Sequence, residues 1–266
     1  MRATPPRCVL TIAGSDSGGG AGVQADARTI HALGGFAGMA ITAITAQNTR
    51  GVTAWRPVAP ALIAQQIEAV MSDLPVAAIK TGLLPGAAAV QTIARTLARF
   101  PRLPLVVDPV MGATRGTRFL DTRGVQALAR GLLPRATLVT PNWPEAEALA
   151  DRRLRSLAEA EAAAVGLMEK FDCAVLLKGG HAPRENVVRD CLVTTDGRVR
   201  WLTSRRIVTR NTHGTGCVLS AAIATRLAHG DEMESAVETA RAFLQSSLRE
   251  NRRTPWGGAG PAFSGW

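Results

Sequence analysis

The chain has 266 residues, with 31 lysines and arginines against 21 aspartates and glutamates, a net charge of +10, and 46% hydrophobic residues. At that length roughly three-quarters of the unfolded surface can be buried, and the composition excludes disordered tails, collagen, coiled coils and disulfide-stapled miniproteins. Four dispersed cysteines (Cys8, Cys173, Cys191, Cys217) include no CxxC pair, which fits a reducing, cytoplasmic compartment better than a zinc ribbon or a disulfide framework.

Short β-rich apolar runs alternate with longer Ala/Leu/Arg segments. The pattern predicts strands over 8–13, 39–45, 77–80, 105–108, 137–140 and 174–178. It predicts helices over 23–33, 60–74, 86–100, 121–132, 156–171, 216–228 and 233–249. Residues 191–195 and 198–203 flank Asp196-Gly197, a dipeptide that reads as a hairpin turn. The apolar stretch near the N-terminus is too short for a secretory leader. Residues 29–49 carry no Asp, Glu, Lys or Arg, yet four threonines, His31, Gln47 and Asn48 predict a buried strand and its flanks rather than a membrane span. Alternation of this kind implies an α/β fold over 1–266 as one domain, a mostly parallel sheet with helices on both faces.

Such sheets bind ligands beyond the carboxyl ends of their strands. Ser15 and Asp16, Gln47 and Asn48, Asp108, Asn142, and Lys178-Gly179-Gly180-His181 each follow a predicted strand. Two glycine-rich stretches join them. Gly14–Gly22 is not a Walker A loop, since no lysine stands where that loop needs one, nor a dinucleotide fingerprint. Residues 211–222 run through Thr212, Gly214, Thr215, Gly216 and Cys217 into an alanine-rich helix, whose start offers unpaired N–H donors to an anion. A cysteine in that first turn is expected to have a lowered pKa. The arginines cluster without interleaved aromatics and without a zinc-finger or RNP pattern, so the charge describes a solvated basic surface rather than a nucleic-acid site.

Seven stretches together carry a resemblance: LTIAGSDSGGGAGVQAD (10–26), ITAQNTRGV (44–52), IKTGLL (79–84), VVDPVM (106–111), TPNWPEAEAL (140–149), LLKGGH (176–181) and NTHGTGC (211–217). In this order they resemble the hydroxymethylpyrimidine/phosphomethylpyrimidine kinases of thiamine biosynthesis, within the ribokinase-like superfamily. The resemblance implies a three-layer ribokinase-like fold. It also implies transfer from ATP, with Mg2+, to 4-amino-5-hydroxymethyl-2-methylpyrimidine and then to its monophosphate. It makes Cys217 the base, with Gly214, Thr215 and Gly216 cradling the transferred group. Gln47, Asp26, Gly22 and Ala21 fall on the substrate side, Lys178, Asn142 and Thr212 at the nucleotide. Asp108 and Glu145 fall near the metal, Glu145 through water.

Two departures stand out. Thr114 is followed by Arg115-Gly116 where the family often has Ser-Gly, and Gly258-Ala259-Gly260-Pro261 lacks the histidines that often follow it, so no role attaches to the tail. The rival expectations are a pyridoxal or pyridoxine kinase and a non-catalytic pyrimidine-binding regulator. The expected partners are small molecules, with no nucleic acid or membrane; the oligomeric state stays open.

Overall fold

The computed structural model describes residues 6–112, 118–181 and 186–263. Its centre is a nine-stranded sheet in the order β3-β2-β1-β4-β5-β6-β7-β8-β9. The six inner strands, β2 (Phe36–Asn48), β1 (Cys8–Asp16), β4 (Val76–Thr81), β5 (Leu105–Val107), β6 (Leu138–Val139) and β7 (Ala174–Leu177), run parallel. Antiparallel strands close both edges: β3 (Gly51–Pro57) on β2, and the hairpin β8 (Val187–Val193) and β9 (Val199–Arg205) on β7. Alternation along each strand sorts the core into two layers. Leu10, Ile12, Val107, Val139 and Val175 pack against α2 (Pro60–Asp73), α3 (Gly86–Leu97), α4 (Thr122–Gly131), α5 (Trp143–Ala150) and α6 (Leu157–Phe171). Val9, Ala78, Val106, Leu138 and Leu176 pack against α1 (Gly22–Ala32), α7 (Thr215–Ala228) and α8 (Met233–Glu250).

The expected strands and helices form, with boundaries that move by a few residues. Segment 29–49 is the end of α1 followed by β2. Two elements went unread in the sequence. β3 is an edge strand ending on Pro57 and burying little on either face, so it lacks a strong alternating signal. α5 is only eight residues long, and its start is the NWPE stretch. Asn142 Oδ1 accepts from the Glu145 N–H (3.0 Å) while Glu145 Oε2 accepts from the Asn142 N–H (2.8 Å), so the NxxE motif is also a capping box. Strand order reverses around β1, whose neighbours β2 and β4 are reached in opposite directions; that switch point is where ligands settle in open α/β sheets.

Candidate active site

A continuous cavity of about 860 Å³ opens over the carboxyl ends of the parallel strands. It is lined by Ala21, Gly22, Gln47, Asp108, Asn142, Glu145, Lys178, Thr212 and the Gly214–Cys217 turn. The sequence thus brings twelve of its thirteen candidate site residues to one cavity, all but Asp26. Its volume falls within the range of sites for small ligands and cofactors.

Glycine brings the loops together. Gly214, the N-cap of α7, has φ +79°, and a Cβ there would lie 2.0 Å from the Gly20 carbonyl oxygen. On the other loop, a Cβ at Gly22 (φ +59°) would lie 2.2 Å from the Gly14 oxygen. The two glycine-rich stretches therefore interlock through backbone contacts that no side chain permits. Gly216 is flanked in the same way: a Cβ there would lie 3.2 Å from Asp108 Oδ2 and 3.4 Å from Lys178 Nζ. The first turn of α7 thus faces a lysine and an aspartate, with the helix dipole's positive end directed at whatever anion enters.

Lys178 Nζ is 2.7 Å from Asp108 Oδ1 and 4.0 Å from Glu145 Oε2, so both carboxylates converge on one ammonium. Burial, opposed by Lys178 and assisted by Asp108, pushes the Glu145 carboxyl up to about 7. Asp108 also accepts from Thr140 Oγ1 at 3.2 Å. Among the described residues no three His, Cys, Asp or Glu side chains form a metal cage. Two carboxylates beside a helix N-terminus do suit magnesium, which binds through one or two carboxylates and keeps several of its waters.

On the opposite side, Gln47 Nε2 lies 3.0 Å from His213 Nε2, which lies 2.8 Å from Asp16 Oδ2. One ring nitrogen serves both neighbours, and its proton decides which way the Gln47 carboxamide faces. Burial opposes the Asp16 charge. Hydrogen bonds from His213 and the Gly18 and Ala21 N–H groups outweigh it and hold the carboxyl below the usual carboxylate range. The His213–Asp16 pair was not assigned a role from sequence, although Asp16 follows β1 and His213 lies inside NTHGTGC. The tail also has a place. The His213 N–H donates to the Gly260 oxygen, Gly260 N–H to Asn211 Oδ1, and Ala259 N–H to the Thr49 oxygen. Gly258–Pro261 thus joins the Gln47 side of the cavity to the start of α7. Thr114 to Gly116 lie outside the described residues.

Two expectations are corrected. Asp26 does not reach the cavity: it is fully buried behind it, paired with Lys80 at 2.7 Å and bonded by Thr11 Oγ1 at 2.6 Å. Cys217 lies at the cavity wall, but its thiol is pushed up to about 11 rather than lowered. Desolvation dominates, and the Asp26 and Asp108 carboxylates add to it. The Lys80 ammonium and the Gly22 N–H work the other way. The helix start is too weak to overcome a site this dry and this acidic.

Residues 16–262 match the phosphomethylpyrimidine kinase family. The chain is 47% identical over 255 residues to a hydroxymethylpyrimidine/phosphomethylpyrimidine kinase of Rhizobium meliloti, covering 95% of this chain and 94% of that protein. A thiamine biosynthesis bifunctional protein of Geobacter sulfurreducens is 45% identical over 93% of this chain, which spans 50% of its length. Among solved structures, phosphomethylpyrimidine kinase from Clostridium difficile superposes with a TM-score of 0.79 at 36% identity, covering 91% of this chain and 99% of that one. Pyridoxal kinase from Staphylococcus aureus in complex with ADP gives 0.88 at 29% identity, covering 99% and 95%. The fold is ribokinase-like. Family match, relatives and cavity agree, and the chain belongs to the phosphomethylpyrimidine kinase family.

Proposed function

We propose that this chain transfers the γ-phosphoryl group of ATP to 4-amino-5-hydroxymethyl-2-methylpyrimidine, and then phosphorylates the monophosphate to the diphosphate. The observation that carries the reading is the cavity itself: a carboxamide and an imidazole at one side, and a glycine-walled helix start facing a lysine and two carboxylates at the other. Gln47, Ala21 and Gly22 hold the pyrimidine; a carboxamide offers the donor and acceptor that an aminopyrimidine edge needs. Lys178, Asn142 and Thr212 hold the nucleotide. Asp108 and Glu145 would hold magnesium, Glu145 through water, and the ion would supply neutralising charge for the phosphates. N–H groups of Gly214, Thr215 and Gly216 stabilise charge on the transferred group. Cys217 is the group placed to take the hydroxyl proton, acting as a scarce but strong base. Phosphoryl transfer through a loose transition state asks mainly for positioning and charge stabilisation, which the rest of the wall provides.

Pyridoxal is the second reading, favoured by the close superposition on the Staphylococcus aureus pyridoxal kinase. An ADP-release assay decides between the two. The pyrimidine reading expects kcat/KM for hydroxymethylpyrimidine to exceed that for pyridoxal by at least tenfold, the discrimination expected of a site built to hydrogen-bond its substrate. A preference for pyridoxal would reverse the assignment.

A further inference from the structure

Lys80 is the largest fully buried side chain among the described residues, and no role in the transfer falls to it above. An ammonium placed there costs several kcal/mol unless a partner and hydrogen bonds offset it. Its hydrogen bond is to Asp26 Oδ2 at 2.7 Å; among the described residues no acceptor serves its other two N–H donors. Asp26 is equally buried, and its Oδ1 has no partner. Gly82 makes the space: a Cβ there would lie 2.8 Å from Lys80 Nζ. Burial alone disfavours both charges. Burial pushes the Asp26 carboxyl up even with Thr11 donating to it; at 2.7 Å Asp26 nonetheless holds the Lys80 ammonium above its usual range, and the cation is the charge that persists here. Buried ion pairs are often replaceable by apolar side chains of similar volume with no loss of stability. Packing therefore does not explain the pair.

α7 packs against both β4, which carries Lys80, and α1, which carries Asp26. Lys80 lies next to the last residue of β4, and Asp26 one turn beyond Gly22, the first residue of α1, whose N–H favours the Cys217 thiolate. The charged groups acting on that sulfur are Lys80 from β4, Asp26 from α1, Asp108 after β5 and Lys178 after β7. Of the two cations, Lys178 is partly exposed and bound to Asp108. Lys80 is the one sealed from water, with donors uncommitted.

We propose that Lys80 is a positioning residue for the phosphoryl transfer: fixed by Asp26 and the space at Gly82, its ammonium is the counter-charge for the thiolate of Cys217. The thiol proton leaves to solvent. The thiolate then takes the substrate hydroxyl proton as the oxygen bonds to the γ-phosphorus and the bond to the ADP oxygen breaks. This rests on Cys217 being the base.

Three variants test it: Lys80→Met, Asp26→Asn and the double variant, which removes both charges together and so avoids leaving either one unpaired. Two readouts are taken: the pH dependence of Cys217 alkylation by iodoacetamide, followed by peptide mass spectrometry, and kcat with both KM values. Lys80→Met is expected to lower kcat by about tenfold or more and to move the alkylation midpoint to higher pH; the double variant should also lower kcat, with its midpoint above that of Asp26→Asn, since the loss of Asp26 works the other way. Both KM values should stay within about threefold, since no ground-state contact is lost. Asp26→Asn should move the midpoint to lower pH. A folded double variant with parental kcat and an alkylation midpoint no higher than that of Asp26→Asn would overturn the proposal, as would a rise in KM with no such difference in alkylation. Alkylation is read without turnover. A failure of the base assignment, seen as parental kcat in Cys217→Ala, is therefore distinguishable from a failure of this one.

Discussion

Cys217 is half-buried at the start of α7, where carboxylates hold its proton on and Lys80 draws it off. Cys217→Ala should lower kcat by roughly 10²–10⁴-fold, the range for loss of a positioned base. The backbone donors beside it remain, so both substrates should still bind, which titration calorimetry checks. Iodoacetamide should label Cys217 faster than Cys8, Cys173 or Cys191, all buried, with the thiols of Cys173 and Cys191 pushed up to about 12. Gln47→Leu should weaken pyrimidine binding by roughly 1–3 kcal/mol, the cost of an unsatisfied buried polar group, and leave ATP binding unchanged. At this scale the sequence shows which residues gather at the strand ends, because turn glycines and isolated polar residues are visible in one dimension. What those residues feel is not. The thiol's environment depends on Lys80 and Asp26, far away in the chain, and Asp26 reads as a substrate contact until its burial is known.

At the scale of elements, the start of α7 and the start of α5 face each other across the cavity. Gly214→Ala places a Cβ 2.0 Å from the Gly20 oxygen at a left-handed φ, so it should cost at least about 1–3 kcal/mol, seen as a lowered Tm. Glu145→Gln is a cleaner change, because glutamine completes a capping box as well as glutamate does. The variant should fold normally yet need more magnesium for half-maximal rate. Its ligand-free stability should also depend less on pH. Burial raises the Glu145 pKa from 4.5 to about 7, so the folded parent holds a proton that the unfolded chain releases. Stability contributed by this group is therefore present below pH 4.5 and is lost as pH rises towards 7. Denaturant unfolding across that window should show a shallower decline in the variant. NxxE was legible as a site motif, whereas α5 itself was not: eight residues with a proline give too short a periodic signal.

Across the whole molecule, the parallel sheet and its two helix layers were readable because strand and helix periods alternate cleanly from residue 8 to residue 250. Edge strand β3 and the role of the tail were not, since each depends on contacts made only after folding: Asn48 with Gly51, and Gly258–Pro261 with Thr49 and Asn211. The pairing of His213 with Asp16 is of the same kind, two residues joined only when the first strand meets the seventh helix. One cavity contains every proposed contact, so in the proposed function one site serves both phosphorylations. The most direct test follows hydroxymethylpyrimidine, ATP and magnesium by phosphorus NMR with the parent and with Cys217→Ala. The account predicts a pyrimidine monophosphate that gives way to the diphosphate in the parent, with both steps slowed together in the variant. No phosphorylated pyrimidine from the parent, or a variant in which only one step slows, would contradict it.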